Sequence, residues 1–370
     1  MTRNVPAAMT KSIGLQADPA FGEGRPAVVS FLLATLIFVI ISCQNISSKN
    51  LTSGDSSLVN INIDSGFVSL GGEKQYVETL SKSSNNPILL FIHGGPGLPE
   101  TPLLRYYNSE LTDAFTLVIW EQRGAGKSFQ NNPNPENMTL DQLISDAHEL
   151  TLLLKKKYNK NKIFLAAHSW GSIIGMNLAL KYPDDYIAYI GISQVINMKK
   201  GMEISQKWIE AKAKSNHDTS TLNILRRLYL KDPTLCSGDF DCFSKQYELL
   251  TKYKGTVYNN KIDEDMKKAL TAYKDYKEYF WIKGYGFSIM HLEKDLFSID
   301  FTDIKQINIP IYFIQGRYDW NVPSVLVETF FQNISAPSKH IIWFEYSGHN
   351  PLDEEAKKFN DIMINTIAKI

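Results

Sequence analysis

A serine, an aspartate and a histidine of this 370-residue sequence could together perform nucleophilic catalysis. Each follows a short apolar run: Ser169 follows IFLAAH, Asp319 follows IYFIQGRY, and His349 follows IIWFEYSG. An imidazole that accepts the proton of a serine hydroxyl makes it a nucleophile, while a carboxylate fixes the tautomer of the imidazole. Taken singly, Ser169 could cap a helix, Asp319 could lie in a turn, and His349 could be a surface histidine. Their shared position after apolar runs favours a catalytic triad.

The residues around Ser169 read AHSWG, at 167–171, and lead into a stretch of small residues typical of a helix. A strand that runs directly into a serine and then turns into a helix is a nucleophile elbow. That motif usually has glycine two positions before the serine, and here the position is Ala167. Alanine is still small, so we expect the elbow to form.

The elements that must position these residues alternate between short apolar strands and helices. One helix is predicted over residues 139–157, with Thr139 as its cap and with an apolar face formed by Leu140, Leu143, Ile144, Ala147, Leu150, Leu153 and Leu154. The predicted buried strands are 87–92, 116–120, 163–168, 189–193, 311–315 and 341–345. This alternation predicts a mostly parallel sheet with helices on both faces. Site residues of such sheets collect at the carboxyl ends of the strands.

Two segments depart from this alternation. LVNINI, FVSL and QYVETL, within residues 58–80, predict antiparallel strands at one edge of the sheet. Residues 196–298 are helical in pattern and rich in Lys, Tyr and Glu, which predicts an inserted cap domain. The domain that contains the sheet would then consist of residues 58–195 and 299–370.

A glycine-rich segment, HGGPG at residues 93–97, follows the apolar run PILLFI. It could be an ordinary turn. Glycine also lets a backbone approach a substrate closely, so the N–H groups of Gly95 and Trp170 are candidates for an oxyanion hole. We expect His93, Gly94, Gly97, Gln122 and Arg123 to support this loop rather than to contact the substrate.

Five motifs occur together in this chain: HGGPG, EQRGAGKS at 121–128, SWGS at 169–172, GRYD at 316–319 and SGH at 347–349. Together they resemble the proline iminopeptidase branch of the α/β-hydrolases over roughly residues 60–370. The resemblance implies an eight-stranded sheet with a helical cap, and removal of an N-terminal residue, typically proline, from small peptides. Glu121 stands where that branch usually has Asp, as Ala167 stands for Gly.

The substrate class is less well defined by these motifs than the reaction. A free amino group needs a carboxylate partner, and Glu203 and Glu210 are candidates by position, although each could equally be a solvated helix residue. An esterase, amidase or lactonase could use the same three residues. A non-enzymatic binding protein on this fold would be expected to have lost one of them, and an epoxide hydrolase or dehalogenase would have Asp in place of Ser169.

The N-terminal residues predict that the protein is attached to a membrane. Residues 27–42 are uncharged and apolar, and Cys43 follows them directly. This arrangement resembles a bacterial lipoprotein signal. A retained anchor and a misassigned start site are the alternatives. Residues 1–43 would be the signal or anchor, and residues 44–57 a flexible tether, with the enzyme outside the cytoplasm.

Composition and cysteine content limit the partners. A formal net charge of zero gives no basic face for nucleic acid. Cys236 and Cys242 lie close enough in sequence for a disulfide, with two free thiols as the alternative. Two cysteines without nearby histidines fall short of a zinc site. No metal or organic cofactor is expected, and the expected partner is a small peptide or ester substrate.

Overall fold

The computed structural model describes residues 61–131, 133–231, 240–259, 261–273, 276 and 281–370. The apolar segment 27–42, Cys43, the tether 44–57 and Cys236 lie outside these residues, so their assigned roles stay predictions. Within the described ranges, no helix has both the length and the apolar character needed to cross a membrane.

An eight-stranded sheet lies at the centre of the fold, with the strand order β1-β2-β4-β3-β5-β6-β7-β8. The strands β3 to β8 pair in parallel, whereas β2 pairs antiparallel with both β1 and β4. This confirms the predicted mostly parallel sheet. The strands are β1 (Asn62–Leu70), β2 (Glu73–Ser81), β3 (Ile88–Ile92), β4 (Thr116–Trp120), β5 (Ile163–His168), β6 (Tyr186–Ile192), β7 (Ile311–Gly316) and β8 (Lys339–Phe344).

The edge of the sheet differs from the prediction in one respect. LVNINI and FVSL were predicted as separate strands, but Asn62–Leu70 is one continuous strand. Gly66 lies in its middle and pairs with Val77 of β2. A nine-residue antiparallel pairing supplies enough backbone hydrogen bonds to carry the strand through a glycine that would otherwise favour a turn.

Both faces of the sheet are covered. In β3, Leu90 and Ile92 belong to one apolar cluster, and Leu89 and Phe91 belong to the other. Because alternate residues of a strand point to opposite faces, this fully apolar strand is buried on both sides.

The helices of the first part are α1 (Thr101–Tyr107), α2 (Gly126–Phe129), α3 (Leu140–Lys157) and α4 (Gly171–Lys181). Helix α3 confirms the predicted helix, and the Thr139 hydroxyl accepts a hydrogen bond from Gln142 N at 3.2 Å. The prediction of Leu153 on the buried face was wrong, since it is 40% exposed. Thr151 instead occupies the buried side there, where its hydroxyl contacts Tyr186 Oη at 3.0 Å.

Between β6 and β7 the described residues form α5 (Met198–Ser215), α6 (Thr219–Lys231), α7 (Phe240–Lys252), α8 (Lys261–Ala272) and α9 (Trp281–Ser298). We call residues 193–310 the β6–β7 insertion. Ser288 Oγ of α9 donates to Gly124 O at 3.1 Å, and Ser205 Oγ of α5 donates to Trp320 O at 2.6 Å. The insertion therefore bonds directly to loops at the carboxyl edge of the sheet. Its assignment as a separate cap domain stays a prediction. After β7 follow α10 (Ser324–Asn333), α11 (Pro351–Glu354) and α12 (Ala356–Asn365).

Candidate active site

Ser169 lies in the turn between β5 and α4. Its φ of +51° is uncommon for a residue with a side chain and is the conformation of a strained elbow. Ser169 N donates to Ile192 O of the neighbouring strand at 2.9 Å, and Ser172 Oγ donates to Ser169 O at 2.5 Å. Trp170, not Ser169, is the N-cap residue of α4. These hydrogen bonds hold the strained backbone of Ser169 from both sides. A serine that only capped a helix would not require this strained conformation.

Ser169, His349 and Asp319 form one chain of hydrogen bonds. His349 Nε2 lies 2.8 Å from Ser169 Oγ, and His349 Nδ1 lies 2.8 Å from Asp319 Oδ2. The other oxygen of Asp319 accepts from Asn321 N at 2.9 Å and Val322 N at 2.8 Å. The Asp319 side chain is fully buried. With the carboxylate on Nδ1–H, the imidazole presents an unprotonated Nε2 to the serine hydroxyl.

The main chain of His349 is also held. Its carbonyl oxygen accepts from Ser193 Oγ at 2.8 Å and from His168 Nε2 at 2.9 Å. Its N–H donates to Thr256 O, in the β6–β7 insertion, at 2.8 Å. Hydrogen bonds on both main-chain groups fix the backbone from which the imidazole extends.

The HGGPG loop lies beside the elbow. Gly95 has a φ of +119°, and a Cβ added there would lie 2.6 Å from Gly97 N. Only glycine fits that position. A Cβ added to Gly94 would lie 3.2 Å from Ser169 Cβ, which places the loop next to the candidate nucleophile. The roles of Gly95 and Trp170 as oxyanion donors stay predictions.

His93 and Gln122 join this loop to the elbow. Gln122 Nε2 donates to His93 O at 2.6 Å, and Gln122 Oε1 accepts from the Trp170 indole at 3.1 Å. His93 Nδ1 donates to Gly94 O at 2.8 Å, and its Nε2 accepts from Gln122 N at 3.1 Å. Burial lowers the pKa of His93 to about 4, so the ring is neutral, as this bonding requires.

Arg123 lies further from Ser169. Its guanidinium donates to both oxygens of Asp146, at 2.9 and 3.1 Å, and forms a salt bridge with Glu73. It also donates to Gly71 O at 3.3 Å. These contacts tie the loop after β4 to α3 and to the β1–β2 turn, which is a bracing position.

Ala167 stands where the elbow motif usually has glycine, and a glycine in α4 leaves space for its methyl group. A Cβ added to Gly175 would lie 2.7 Å from Ala167 Cβ and 2.6 Å from a ring carbon of Tyr189. The glycine that lets strand and helix pass closely is therefore on the helix in this chain. The methyl group of Ala167 occupies the space that Gly175 leaves.

We expect Gly175→Ala to lower the free energy of unfolding by about 2 kcal/mol, because overpacking outweighs the helix propensity of alanine. Adding Ala167→Gly should restore about half of the loss, since only one of the two clashes is relieved. Urea unfolding of the two single variants and the double variant measures this coupling. Additive effects of the two changes would contradict it.

Glu121, which stands where the related enzymes usually have aspartate, accepts hydrogen bonds from several segments. Glu121 Oε1 accepts from Thr101 Oγ1 at 2.7 Å and from the Tyr276 hydroxyl of the insertion. Glu121 Oε2 accepts from Lys127 N at 2.6 Å. This carboxylate, wholly buried, joins α1, the start of α2 and the β6–β7 insertion.

A buried ion pair lies behind the elbow. His168 Nδ1 lies 2.6 Å from Glu100 Oε1, which also accepts from Gly94 N at 3.1 Å. Burial disfavours the charged form of His168, but the Glu100 carboxylate raises the pKa of His168 to about 9. His168 is thus an imidazolium that links the HGGPG loop to the His349 carbonyl.

This ion pair predicts a loss of stability in mild alkali. An imidazole whose pKa rises from 6.5 to about 9 on folding stabilises the fold fully below pH 6.5, and this contribution disappears as the pH rises through about 9. Burial and the Glu100 charge raise the pKa of Asp353 to about 8, which acts in the same direction. We expect the free energy of unfolding to fall by about 3 kcal/mol or more between pH 6.5 and 9.5.

Urea unfolding at several pH values measures this fall, and His168→Gln should reduce it. The exposed His340 provides the matched control, His340→Gln, which should leave the fall unchanged. A wild-type stability that is constant over this range would contradict a charged His168.

Glu203 and Glu210 both lie on α5. Glu203 Oε2 is 3.1 Å from Lys200 Nζ, and Glu210 Oε1 is 2.7 Å from Lys214 Nζ. Their assignment to the substrate's amino group stays a prediction. Cys242 is buried and disulfide-bonded, and Cys236, its predicted partner, lies outside the described residues.

Sequence reasoning missed His168 and Ser193, which donate to His349 O, and Glu100, which accepts from Gly94 N. It also missed Glu354, whose carboxylate accepts from Gly348 N at 2.9 Å. His168 lies next to Ser169 in the motif, but as the last residue of an apolar run it predicts only the end of a strand. Ser193, directly after β6, could have been found because it also follows a strand at the carboxyl edge. For Glu100 and Glu354 the sequence holds no signal, because a carboxylate that accepts backbone N–H groups has no characteristic spacing.

The sheet, the elbow and the Ser–His–Asp arrangement define an α/β-hydrolase. Comparisons with known proteins identify the family. A family model described as "Serine aminopeptidase, S33" matches residues 110–272. The chain is 31% identical over 296 residues to "Probable aminopeptidase YbaC" of Bacillus subtilis (strain 168), covering 79% of this chain and 92% of that protein.

Two further relatives agree. The chain is 24% identical over 305 residues to the proline iminopeptidase of Clostridioides difficile (strain 630), covering 81% of this chain and 97% of that protein. The crystal structure of a proline iminopeptidase-related protein from Thermus thermophilus has the same fold, with a TM-score of 0.60 at 18% identity, over 83% of this chain and 98% of that chain. The chain therefore belongs to the serine aminopeptidase family of α/β-hydrolases, and it is a serine hydrolase.

Proposed function

We propose that this protein is an aminopeptidase that removes N-terminal residues, with proline preferred, from small peptides through an acyl-enzyme on Ser169. The observation that carries the proposal is the hydrogen-bond chain from Ser169 Oγ through His349 to Asp319. The names of the relatives support the choice of a peptide substrate.

In the acylation step, His349 Nε2 takes the hydroxyl proton as Ser169 Oγ attacks the carbonyl carbon of the scissile peptide bond. Asp319, held by Asn321 N and Val322 N, stabilises the imidazolium that forms. The imidazolium then gives its proton to the leaving amine, and the C–N bond breaks. In the second step water attacks the ester, again with His349 as the base, and Ser169 is released.

The negative charge of the tetrahedral intermediate requires donors near the elbow. The N–H groups of Gly95 and Trp170 are the proposed donors. Removal of one such donor costs about 3–4 kcal/mol in comparable sites. The bonds from Gln122 to His93 O and to the Trp170 indole support the two segments that carry these donors.

The proposal is tested by comparing hydrolysis of a proline anilide, an anilide of a larger residue and a short acyl ester by the purified protein. Aminopeptidase activity predicts a kcat/KM highest for the proline anilide and a strong loss when the proline nitrogen is acetylated, because a free amino group is required. Rapid hydrolysis of the ester with no cleavage of either anilide would instead favour the esterase alternative.

A further inference from the structure

A segment of the β6–β7 insertion lies against the catalytic histidine. Residues 255–259 join α7 to α8, and Thr256 O accepts the His349 N–H at 2.8 Å. Gly255 O accepts from Trp320 N, one residue after Asp319, at 2.9 Å. A Cβ added to Gly348 would lie 2.6 Å from Thr256 O. The segment is therefore in close contact with the loops that carry Asp319 and His349.

The carboxylate of Glu354, at the end of α11, bridges this segment and the His349 loop. Glu354 Oε2 accepts from Tyr258 N at 2.7 Å, and Asn259 N is a further donor to the same carboxylate. Glu354 Oε1 accepts from Gly348 N at 2.9 Å and from Asn350 N at 3.3 Å. One side chain thus satisfies main-chain donors on both sides of His349 and on the insertion.

Both oxygens are needed for this bridge. An ionised carboxylate accepts at both oxygens, whereas a protonated or amidated one accepts well at only one. Burial raises the pKa of Glu354 to about 7, although the main-chain donors lower it. A neutral side chain at residue 354 therefore leaves either the insertion or the His349 loop without its acceptor.

Several titratable and charged groups lie near Glu354 in the part of the chain that the structure describes. Asp353 precedes Glu354 in α11, and Glu355 follows it and accepts from Tyr346 N at 3.0 Å and from Ser347 Oγ at 2.7 Å. Lys358 Nζ lies 3.9 Å from Glu355. Among the described residues, His349 and the exposed Tyr258 lie on the two segments that Glu354 joins, and the rings of Tyr318 and Tyr346 pack against the ring of Tyr258.

We propose that Glu354 is a positioning residue that fastens residues 255–259 to the His349 loop and so holds the imidazole in line for proton transfer with Ser169. This inference rests on the proposed function only in taking Ser169 and His349 as the reacting pair. Because Glu354 acts through the backbone of His349, its loss should slow the chemical step and leave substrate binding largely unchanged.

The test is the rate at which a fluorophosphonate modifies Ser169 in the wild-type protein and in Glu354→Gln, measured between about pH 6 and 8.5. This reaction needs the activated hydroxyl but no particular peptide substrate. At pH 8.5 the variant should react about tenfold more slowly, as for a modest misplacement of a catalytic group. At pH 6 the difference should shrink below about twofold, because protonated Glu354 then resembles glutamine.

Asp361→Asn is the matched control, since it removes an exposed carboxylate from the neighbouring helix α12, where Asp361 pairs with Lys357 at 3.2 Å. It should react at the wild-type rate throughout. Unfolding midpoints show whether Glu354→Gln is folded.

A wild-type to Glu354→Gln ratio that is equal at both pH values, or equal to one, would overturn the proposal. Failure of the wild-type protein to react at all would overturn the reacting pair and this inference together. Reaction with the expected ratios but without cleavage of proline anilide would support the role of Glu354 and reject only the substrate assignment.

Discussion

Replacing Ser169 by alanine should lower kcat/KM for the best substrate by about 10⁴- to 10⁶-fold. The reason is that, in the proposed mechanism, Ser169 forms the covalent intermediate, whereas His349 only transfers a proton and Asp319 only stabilises the imidazolium. The residual rate would reflect binding and oxyanion stabilisation alone. Initial rates with the purified variant, at enzyme concentrations high enough to detect slow turnover, measure the loss.

Ser215→Ala is the matched control, because Ser215 is an exposed serine at the end of α5 that bonds only Lys212 O among the contacts described for it, at 2.9 Å. It should keep the wild-type rate within about twofold, as expected for a surface change. If Ser169→Ala retained more than a few per cent of the wild-type activity, Ser169 could not be the nucleophile.

Asp319→Asn should lower kcat by about 10⁴-fold while leaving the protein folded. The carboxylate accepts three hydrogen bonds, from His349 Nδ1, Asn321 N and Val322 N. An amide that keeps its oxygen toward the two backbone N–H groups presents its NH₂ to His349. That arrangement favours the tautomer with the proton on Nε2, which cannot accept the proton of Ser169.

The loss in this variant should fall mainly on kcat, since Asp319 is buried behind His349 and the asparagine is nearly isosteric. Asp113→Asn, at a surface salt bridge with Lys82, should behave as the wild type. Equal losses in Asp319→Asn and Asp113→Asn, or an effect confined to KM, would show that Asp319 does not orient the imidazole.

The triad and the sheet could be predicted from the sequence because their signals are local. The apolar runs that end at Ser169, Asp319 and His349 each carry a strand in the structure, and parallel strands bring their carboxyl ends to one edge. The helix over 139–157 was predictable for the same reason, since its period and its cap at Thr139 lie within one segment.

What the sequence could not show depends on contacts between distant segments. The space for Ala167 is supplied by Gly175, a helix residue whose absent side chain has no signature by itself. Glu121 extends to Tyr276, which is 155 residues away. The continuous β1 is not evident from the sequence, because Gly66 favours a break between LVNINI and FVSL and the pairing with β2 decides the outcome.

The central claim is that Ser169 is a hydroxyl activated by His349. Its most direct test is peptide mapping by mass spectrometry after treatment with a fluorophosphonate. We expect one adduct on the peptide that contains Ser169, formed rapidly in the wild-type protein, much more slowly in Asp319→Asn, and absent in Ser169→Ala. An adduct on a different residue, or none under conditions in which the wild-type protein is folded, would contradict it.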